Sequence, residues 1–251
     1  MNSVNIKILN QWLNELLKPE KFVDYCPNGL QINGKKNIRK VIVGVTSSLD
    51  FLNIAVHQKA DAVIVHHGVF WKGNNVISDI LKNRIKLCLQ NDLNLFAYHL
   101  PLDVHPYIGN NVQLGKILEF DIIEKQLNKD SLLMFGKYKK NITMQELNSH
   151  ISKKLERTSL LIGNPNETVN KIAWCTGGAQ NKFIEAYNEG ANVYITGEIS
   201  EPVFHISKEL DIGFICAGHH ATERYGIKAL GLAIKKEFNI EVDFIDINNP
   251  I

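Results

Sequence analysis

Thiols are scarce in this chain and widely separated. Cys26, Cys88, Cys175 and Cys216 are the only cysteines, and no two form a CxxC pair. That spacing argues against a disulfide framework and against a thiolate zinc site, and points to reduced thiols in a cytoplasmic protein. An excess of charge of either sign is also missing. A formal net charge of +2 gives no case for attraction to nucleic acid or to a membrane surface. Two short basic runs, Lys35–Lys40 and Lys137–Lys140, flank predicted strands and read as solvated turns. No apolar run approaches the ~18 residues of a membrane span. The opening MNSVNIKILNQWLNELL patterns as an amphipathic helix and lacks the charged head and small-residue cleavage site of a signal peptide.

What is present is ordinary globular material, 251 residues with 45% apolar and 22% charged, enough for one large domain or two compact halves. Apolar runs of strand length recur at Lys40–Thr46, Ala62–His66, Asn94–Tyr98, Ile172–Cys175, Val193–Thr196, Gly213–Ala217 and Val242–Ile245. Helical patterns fill the gaps, at Leu49–Gln58, Ile80–Gln90, Asn181–Asn188 and Thr222–Glu237. Such alternation predicts an α/β fold with its sheets covered by helices. The stretch 121–170 is more polar and less periodic, and NPNE at Asn164–Glu167 marks a turn. The expected organisation is a first α/β half at 1–120, a connecting segment at 121–170 and a second α/β half at 171–251.

The halves resemble one another. KVIVGVTSSLDFLNIAVHQKADAVIVHHG from Lys40 lies without a gap over KIAWCTGGAQNKFIEAYNEGANVYITGEI from Lys171. Both carry a strand, a small-polar turn, a helix with alanine in register, and Ala-Asp or Ala-Asn before a second strand. His66 falls on Gly197 and His67 on Glu198. Further on, each half ends a strand and places a histidine four residues before a carboxylate, as His99 with Asp103 and as His219 with Glu223. An internal duplication follows, with equivalent strand ends facing a shared cleft, since ligand sites in such folds gather at strand carboxyl ends.

Histidines and carboxylates concentrate at those strand ends. His219 and Glu223, at i and i+4, share one face of a helix. His66 and His67 cannot point the same way from an extended strand. Gly68 permits a turn after them, and diverging rings would suit two neighbouring ions. Imidazole and carboxylate donors without thiolate favour Zn²⁺, Fe²⁺, Mn²⁺ or Ni²⁺ over Ca²⁺ or Mg²⁺.

Six segments in order carry a family resemblance: DYCPNGLQ (Asp24–Gln31), ADAVIVHHGVFWKG (Ala60–Gly73), YHLPLDVHPYIGNN (Tyr98–Asn111), WCTGGAQ (Trp174–Gln180), ITGEISEP (Ile195–Pro202) and AGHHATERYG (Ala217–Gly226). Together they resemble the GTP cyclohydrolase 1 type 2 homolog family, in its YbgI-type, NIF3-like branch, over nearly the whole chain. The resemblance implies a dinuclear centre of two divalent metal cations per chain, held by His66, His67, Asp103, His219 and Glu223. All five are present. It also implies a toroidal homohexamer, which nothing in the periodicity shows.

His99 lies outside that ligand set. Orienting a ligand, touching substrate and plain packing are all open to it, as they are to His205 and Glu198; Glu198 is the candidate for acid–base work. His105 and His220 read as exposed, and His57 and His150 as helix residues with no partners in sequence. Phe70 and Trp71 read as packing, although a ring beside a metal cleft can hold a planar base. Gly177-Gly178 could cradle phosphate, but a tight βα turn needs glycine anyway, and Ser47-Ser48 stands at the matching turn.

Two kinds of function fit these residues. One is a metal-dependent hydrolase acting on a nucleotide-like small molecule, with GTP the first to try. The other is a non-enzymatic protein that stores, delivers or senses a divalent ion. A scaffold stabilised by structural metal is a third and lesser reading. No residue reads out guanine, and resemblance alone does not fix a substrate.

Overall fold

The computed structural model describes residues 2–73, 76–123 and 132–251; part of the segment 121–170 therefore lies outside the described residues. Two compact units emerge, and neither is continuous in sequence. Unit 1 comprises 1–109 and 226–248, and unit 2 comprises 110–225 and 249–251.

Unit 1 contains β1 (Val4–Asn5), α1 (Ile6–Leu17), β2 (Gly29–Ile32), β3 (Asn37–Ile38), β4 (Lys40–Thr46), α2 (Leu49–His57), β5 (Ala62–His67), α3 (Asp79–Gln90), β6 (Asn94–Ala97) and α4 (Leu100–Asp103). Unit 2 contains α5 (Asn110–Ile117), β7 (Phe120–Ile122), β8 (Met134–Tyr138), α6 (Met144–Leu155), β9 (Leu160–Ile162), β10 (Ile172–Trp174), α7 (Phe183–Asn188), β11 (Val193–Thr196), α8 (Pro202–Leu210) and β12 (Gly213–Cys216). Helix α9 (His219–Phe238) opens in unit 2 and continues into unit 1, where β13 (Glu241–Phe244) follows.

The sheet of unit 1 runs β13-β4-β5-β6-β2, parallel except for the antiparallel edge β2. Its strands are apolar on both faces because both faces are covered. On β4, Val41, Val43 and Val45 join Leu9 and Leu13 of α1 and Ile227, Leu230 and Ile234 of α9 in one cluster. Ile42 points the other way, into Phe51, Leu52 and Ala55 of α2 and Leu81 and Cys88 of α3. This is strand alternation put to use on both sides. Ser48 starts α2 by accepting from Phe51 N–H at 3.2 Å.

Unit 2 repeats the plan. Parallel β10, β11 and β12 form its centre; β8 pairs antiparallel with β10 and β7 antiparallel with β8 on one side, and β9 pairs antiparallel with β12 on the other. Trp174, Ile195 and Ile215 pack with α5 and α6, while Ala173, Tyr194 and Phe214 pack with Phe183, Ala186 and Val203. The polar segment 121–170 thus supplies β8, α6 and β9 to this unit.

The duplication extends to single hydrogen bonds. Asp61 N–H donates to Lys40 O at 2.9 Å, and Asn192 N–H to Lys171 O at 3.0 Å. The Asp61 carboxylate accepts from the Arg39 and Lys40 amides, just as the Asn192 side-chain oxygen accepts from those of Asn170 and Lys171. Left-handed residues recur at Lys59 (φ 58) and Gly190 (φ 80), and at Asp92 (φ 48) and Asp211 (φ 49). Two similar α/β units are therefore present. Among the described residues no helix is long and apolar enough to cross a membrane.

Candidate metal centre

In unit 1 the site grows from the carboxyl ends of β4, β5 and β6. Strand β5 continues through His67, so its turn begins only at Gly68. The two imidazoles do not diverge as the strand alternation predicted; their centroids lie 4.6 Å apart. The neighbouring strands explain this. Thr46, ending β4, holds His67 Nδ1 through Oγ1 at 3.0 Å. Tyr98, just past β6, holds His66 Nδ1 through its carbonyl at 2.9 Å. Both rings are thus anchored through Nδ1 to opposite neighbours, the way ligating imidazoles are oriented.

His99 belongs to the same group. Donor atoms of His66, His67 and His99 lie within 4.8 Å of one another, and His99 Nδ1 meets Asp24 Oδ1 at 2.9 Å. Asp24 also accepts from the amides of Cys26 (3.1 Å) and Leu100 (3.0 Å) and from the Asn28 side chain (2.9 Å). Asn28 Oδ1 in turn accepts from His99 N–H at 2.7 Å. The DYCPN loop therefore clamps the HLPLD turn, which becomes α4. Burial opposes the charge on Asp24, but the hydrogen bonds from His99 and Asn28 outweigh it and hold the carboxyl well below its ordinary range. From α4, buried Asp103 brings Oδ1 to 3.4 Å from His66 Nε2.

Unit 2 holds a second group at the matching place. Gly218 (φ 98) leads into α9, whose first turn carries His219 and Glu223, with His219 Nε2 to Glu223 Oε2 at 3.1 Å. Glu198, after β11, takes His219 Nδ1 at 2.6 Å. Burial disfavours a charged His219 ring; Glu223 and Glu198 overcome it and raise its pKa to about 9. The ring is therefore held in its protonated form at neutral pH, and a cation binding there would have to displace that proton.

The remaining candidates sort by geometry. Ala179 N–H donates to Thr196 Oγ1 (3.3 Å) and Gly177 N–H to Thr222 Oγ1 (3.0 Å), so the amides on either side of Gly178 are already engaged and the phosphate reading is weakened. His220, read as exposed, is buried, its amide donating to Ile251 O at 3.1 Å. His105, also read as exposed, is half-buried; its Nδ1 accepts from the amides of Tyr107 and Ile108. His150 is not without partners either, since Nε2 meets Leu118 O at 3.1 Å. His205 is exposed beside Glu201 at 3.3 Å and takes no part in either group. The sequence reading did not see the Asp24–His99 pair. The partners stand 75 residues apart, and only the occurrence of both in motif segments hinted at it.

A fit to divalent metal can be judged from the donors themselves. Four imidazoles have Nδ1 fixed by a protein oxygen, two of them by carboxylates. That is how ligating histidines are oriented and made more basic. The donor set, nitrogen plus carboxylate oxygen, suits Zn²⁺, Fe²⁺, Mn²⁺ or Ni²⁺. Replacing Glu198 by alanine is expected to weaken divalent-metal affinity about 10- to 100-fold, read by competition with a chromophoric chelator. Unchanged affinity would show that the short contact to His219 orients nothing.

Comparison with known proteins places the whole chain within one family. The family model described as Duf34/NIF3 (NGG1p interacting factor 3) matches residues 4–250. A Neisseria meningitidis serogroup B protein called "GTP cyclohydrolase 1 type 2 homolog" is 45% identical over 240 residues, covering 95% of this chain and 96% of the relative. A solved structure, described as protein ybgI of unknown function, superposes with a TM-score of 0.95 at 43% identity, covering 99% of this chain and 100% of that one. A structure from Thermus thermophilus gives a TM-score of 0.87 at 27% identity, with coverage of 99% and 100%.

Proposed function

Because this chain belongs to the Duf34/NIF3 family, we propose that His66, His67, Asp103, His219 and Glu223 hold two divalent ions, and that the protein is a metal-dependent hydrolase of a nucleotide-like small molecule. One observation carries the reading: every imidazole of the proposed set has Nδ1 held by a protein oxygen, which fixes Nε2 as the outward donor. When bound, such a pair of ions would acidify water and polarise the bond under attack. The chain's own residues would do the rest. Thr46, the Tyr98 carbonyl and Glu198 fix the rings, and Asp24 fixes His99 at the edge of the group, close to where substrate must approach.

Storage or delivery of the ion is the second reading, and a specific feature favours it. Asp24 and Glu198, the carboxylates beside the imidazoles but outside the ligand set, are both committed to histidine nitrogens. Neither stands ready as a general base. A cytoplasmic setting is supported by four free thiols, of which Cys26, Cys88 and Cys175 are buried; burial pushes Cys26 and Cys88 up to about 11. The homohexamer rests on the family resemblance alone.

The test is turnover by metal-reconstituted protein given GTP and related nucleotides, followed by chromatography of products. Conversion that His66→Ala abolishes supports the hydrolase. Tight metal that exchanges readily with a chelator, with no conversion of any nucleotide, supports the handling role instead.

A further inference from the structure

We infer that Tyr25 and Trp71 form a stacking platform for a planar aromatic ring, and that the ligand of this site is therefore a heterocycle rather than a sugar phosphate or an aliphatic acid. The inference rests on the metal reading above, since it places the ligand beside the imidazoles.

Aromatic side chains that serve only as core are fully covered here, as Phe51 and Phe96 are. Tyr25 is different: it is 55% exposed, although the loop bearing it is tied down on several sides. Its carbonyl accepts from Lys72 N–H at 2.7 Å, which joins it to the residue after Trp71. Next to it in sequence, Cys26 N–H donates to Asp24 at 3.1 Å. On the other loop, Val69 N–H donates to Gln31 Oε1 at 2.9 Å. A ring that keeps half its surface in water on a loop already held in place lets a bound ring cover apolar area without reordering the loop.

The arrangement has a direction. Tyr25 and Trp71 lie 5.7 Å apart with planes 33° from parallel, too close to admit a ring between them but disposed as adjoining parts of one surface. Both meet His99 edge-on, at 5.0 Å and 66° and at 5.4 Å and 82°. Trp71 also stands 5.9 Å from His67. A flat ligand resting on the exposed face of Tyr25 thus has its edge beside the imidazoles of His67 and His99. Stacking supplies affinity without reading a particular base, because every base has a π-face. That fits a site with no evident group for reading guanine.

The test uses full-length protein, metal-loaded and metal-stripped, titrated with guanosine, adenosine, cytidine and ribose 5-phosphate. Tryptophan fluorescence is the first readout and calorimetry the second. Of the three tryptophans, Trp174 is fully buried and Trp12 packs edge-on against Phe238, so Trp71→Phe identifies the responding ring. The nucleosides should quench saturably and ribose 5-phosphate should not. Tyr25→Leu should weaken nucleoside binding roughly 10- to 100-fold, and Tyr25→Phe should restore it, with metal content unchanged in both. Equal binding by Tyr25→Leu, or ribose 5-phosphate binding as well as guanosine, would overturn the platform. Metal-loaded protein with no saturable quenching would overturn it alone and leave the metal reading intact. Saturable quenching by a protein that takes up no metal would uphold the platform and remove the metal reading instead.

Discussion

Asp24→Ala is expected to cost about 3–5 kcal/mol of stability at neutral pH, the usual penalty for deleting one partner of a buried pair. The side chain is only 3% exposed, and its two oxygens serve His99, the Cys26 and Leu100 amides and Asn28. Alanine leaves several of these donors buried without an acceptor, each costing about 1–3 kcal/mol before relaxation. The pH dependence has a definite sign. The folded carboxyl titrates below its ordinary 3.8, so its contribution is complete above that value and disappears as pH falls through the folded pKa. Urea unfolding should therefore show a large gap between wild type and variant at pH 7 that narrows below pH 3.8. A pH-independent gap would mean that Asp24 acts through packing and not through its charge.

Gly177→Ala should have the second large effect, and on a different property. Gly177 sits at φ 67, where a side chain is disfavoured by about 1–2 kcal/mol. A Cβ there would run into the Glu223 carboxylate and press on His219 Nε2. The backbone has little freedom to yield, because Gly177 N–H donates to Thr222 and its carbonyl accepts from Gly197 N–H and Thr196 Oγ1. Glu223 must then move away from His219. Metal affinity is expected to fall at least about 10-fold, by analogy with losses on disturbing ligand orientation. Gly190→Ala is the control: it carries the same kind of positive φ (80), but a Cβ there meets nothing within 4 Å. Equal affinity for both variants and wild type would show that the close approach of this turn to Glu223 is unrelated to metal.

Much of the fold was legible because its strands are short apolar runs between turn signals. Strands β4 and β11 have the boundaries their sequences predict, and β5 runs one residue further, through His67. The duplication was legible for a related reason: Asp61 and Asn192 do the same backbone work, and that work demands a side-chain oxygen at the same step. The segment 121–170 hid its structure. Its strands are short and antiparallel, and α6 has only a narrow apolar face in Met144, Leu147, Ile151 and Leu155. Its start was nonetheless written in the Thr143–Glu146 capping box, both halves of which form. Strand β2 escaped notice because it opens on the glycine of Pro27-Asn28-Gly29, a turn signal that masks a four-residue edge.

At the site, spacing revealed the i,i+4 pair His219–Glu223 because a helix makes that contact local. Adjacency alone could not reveal how His66 and His67 turn, since their anchors, Tyr98 and Thr46, belong to flanking strands. The place of His99 beside them depends on Asp24, from a loop far away in sequence. Contacts made by the fold rather than by neighbouring residues are the ones that a periodicity argument cannot supply.

Elemental analysis of gently purified protein, wild type beside His66→Ala/His219→Ala, tests the central claim most directly, with light scattering on the same samples to follow assembly. The account predicts about two metal equivalents per chain in wild type, an expectation for a dinuclear centre, and their loss in the double variant with assembly unchanged. Wild-type protein that holds no divalent metal even after resupply, or a double variant that holds as much as wild type, would contradict it.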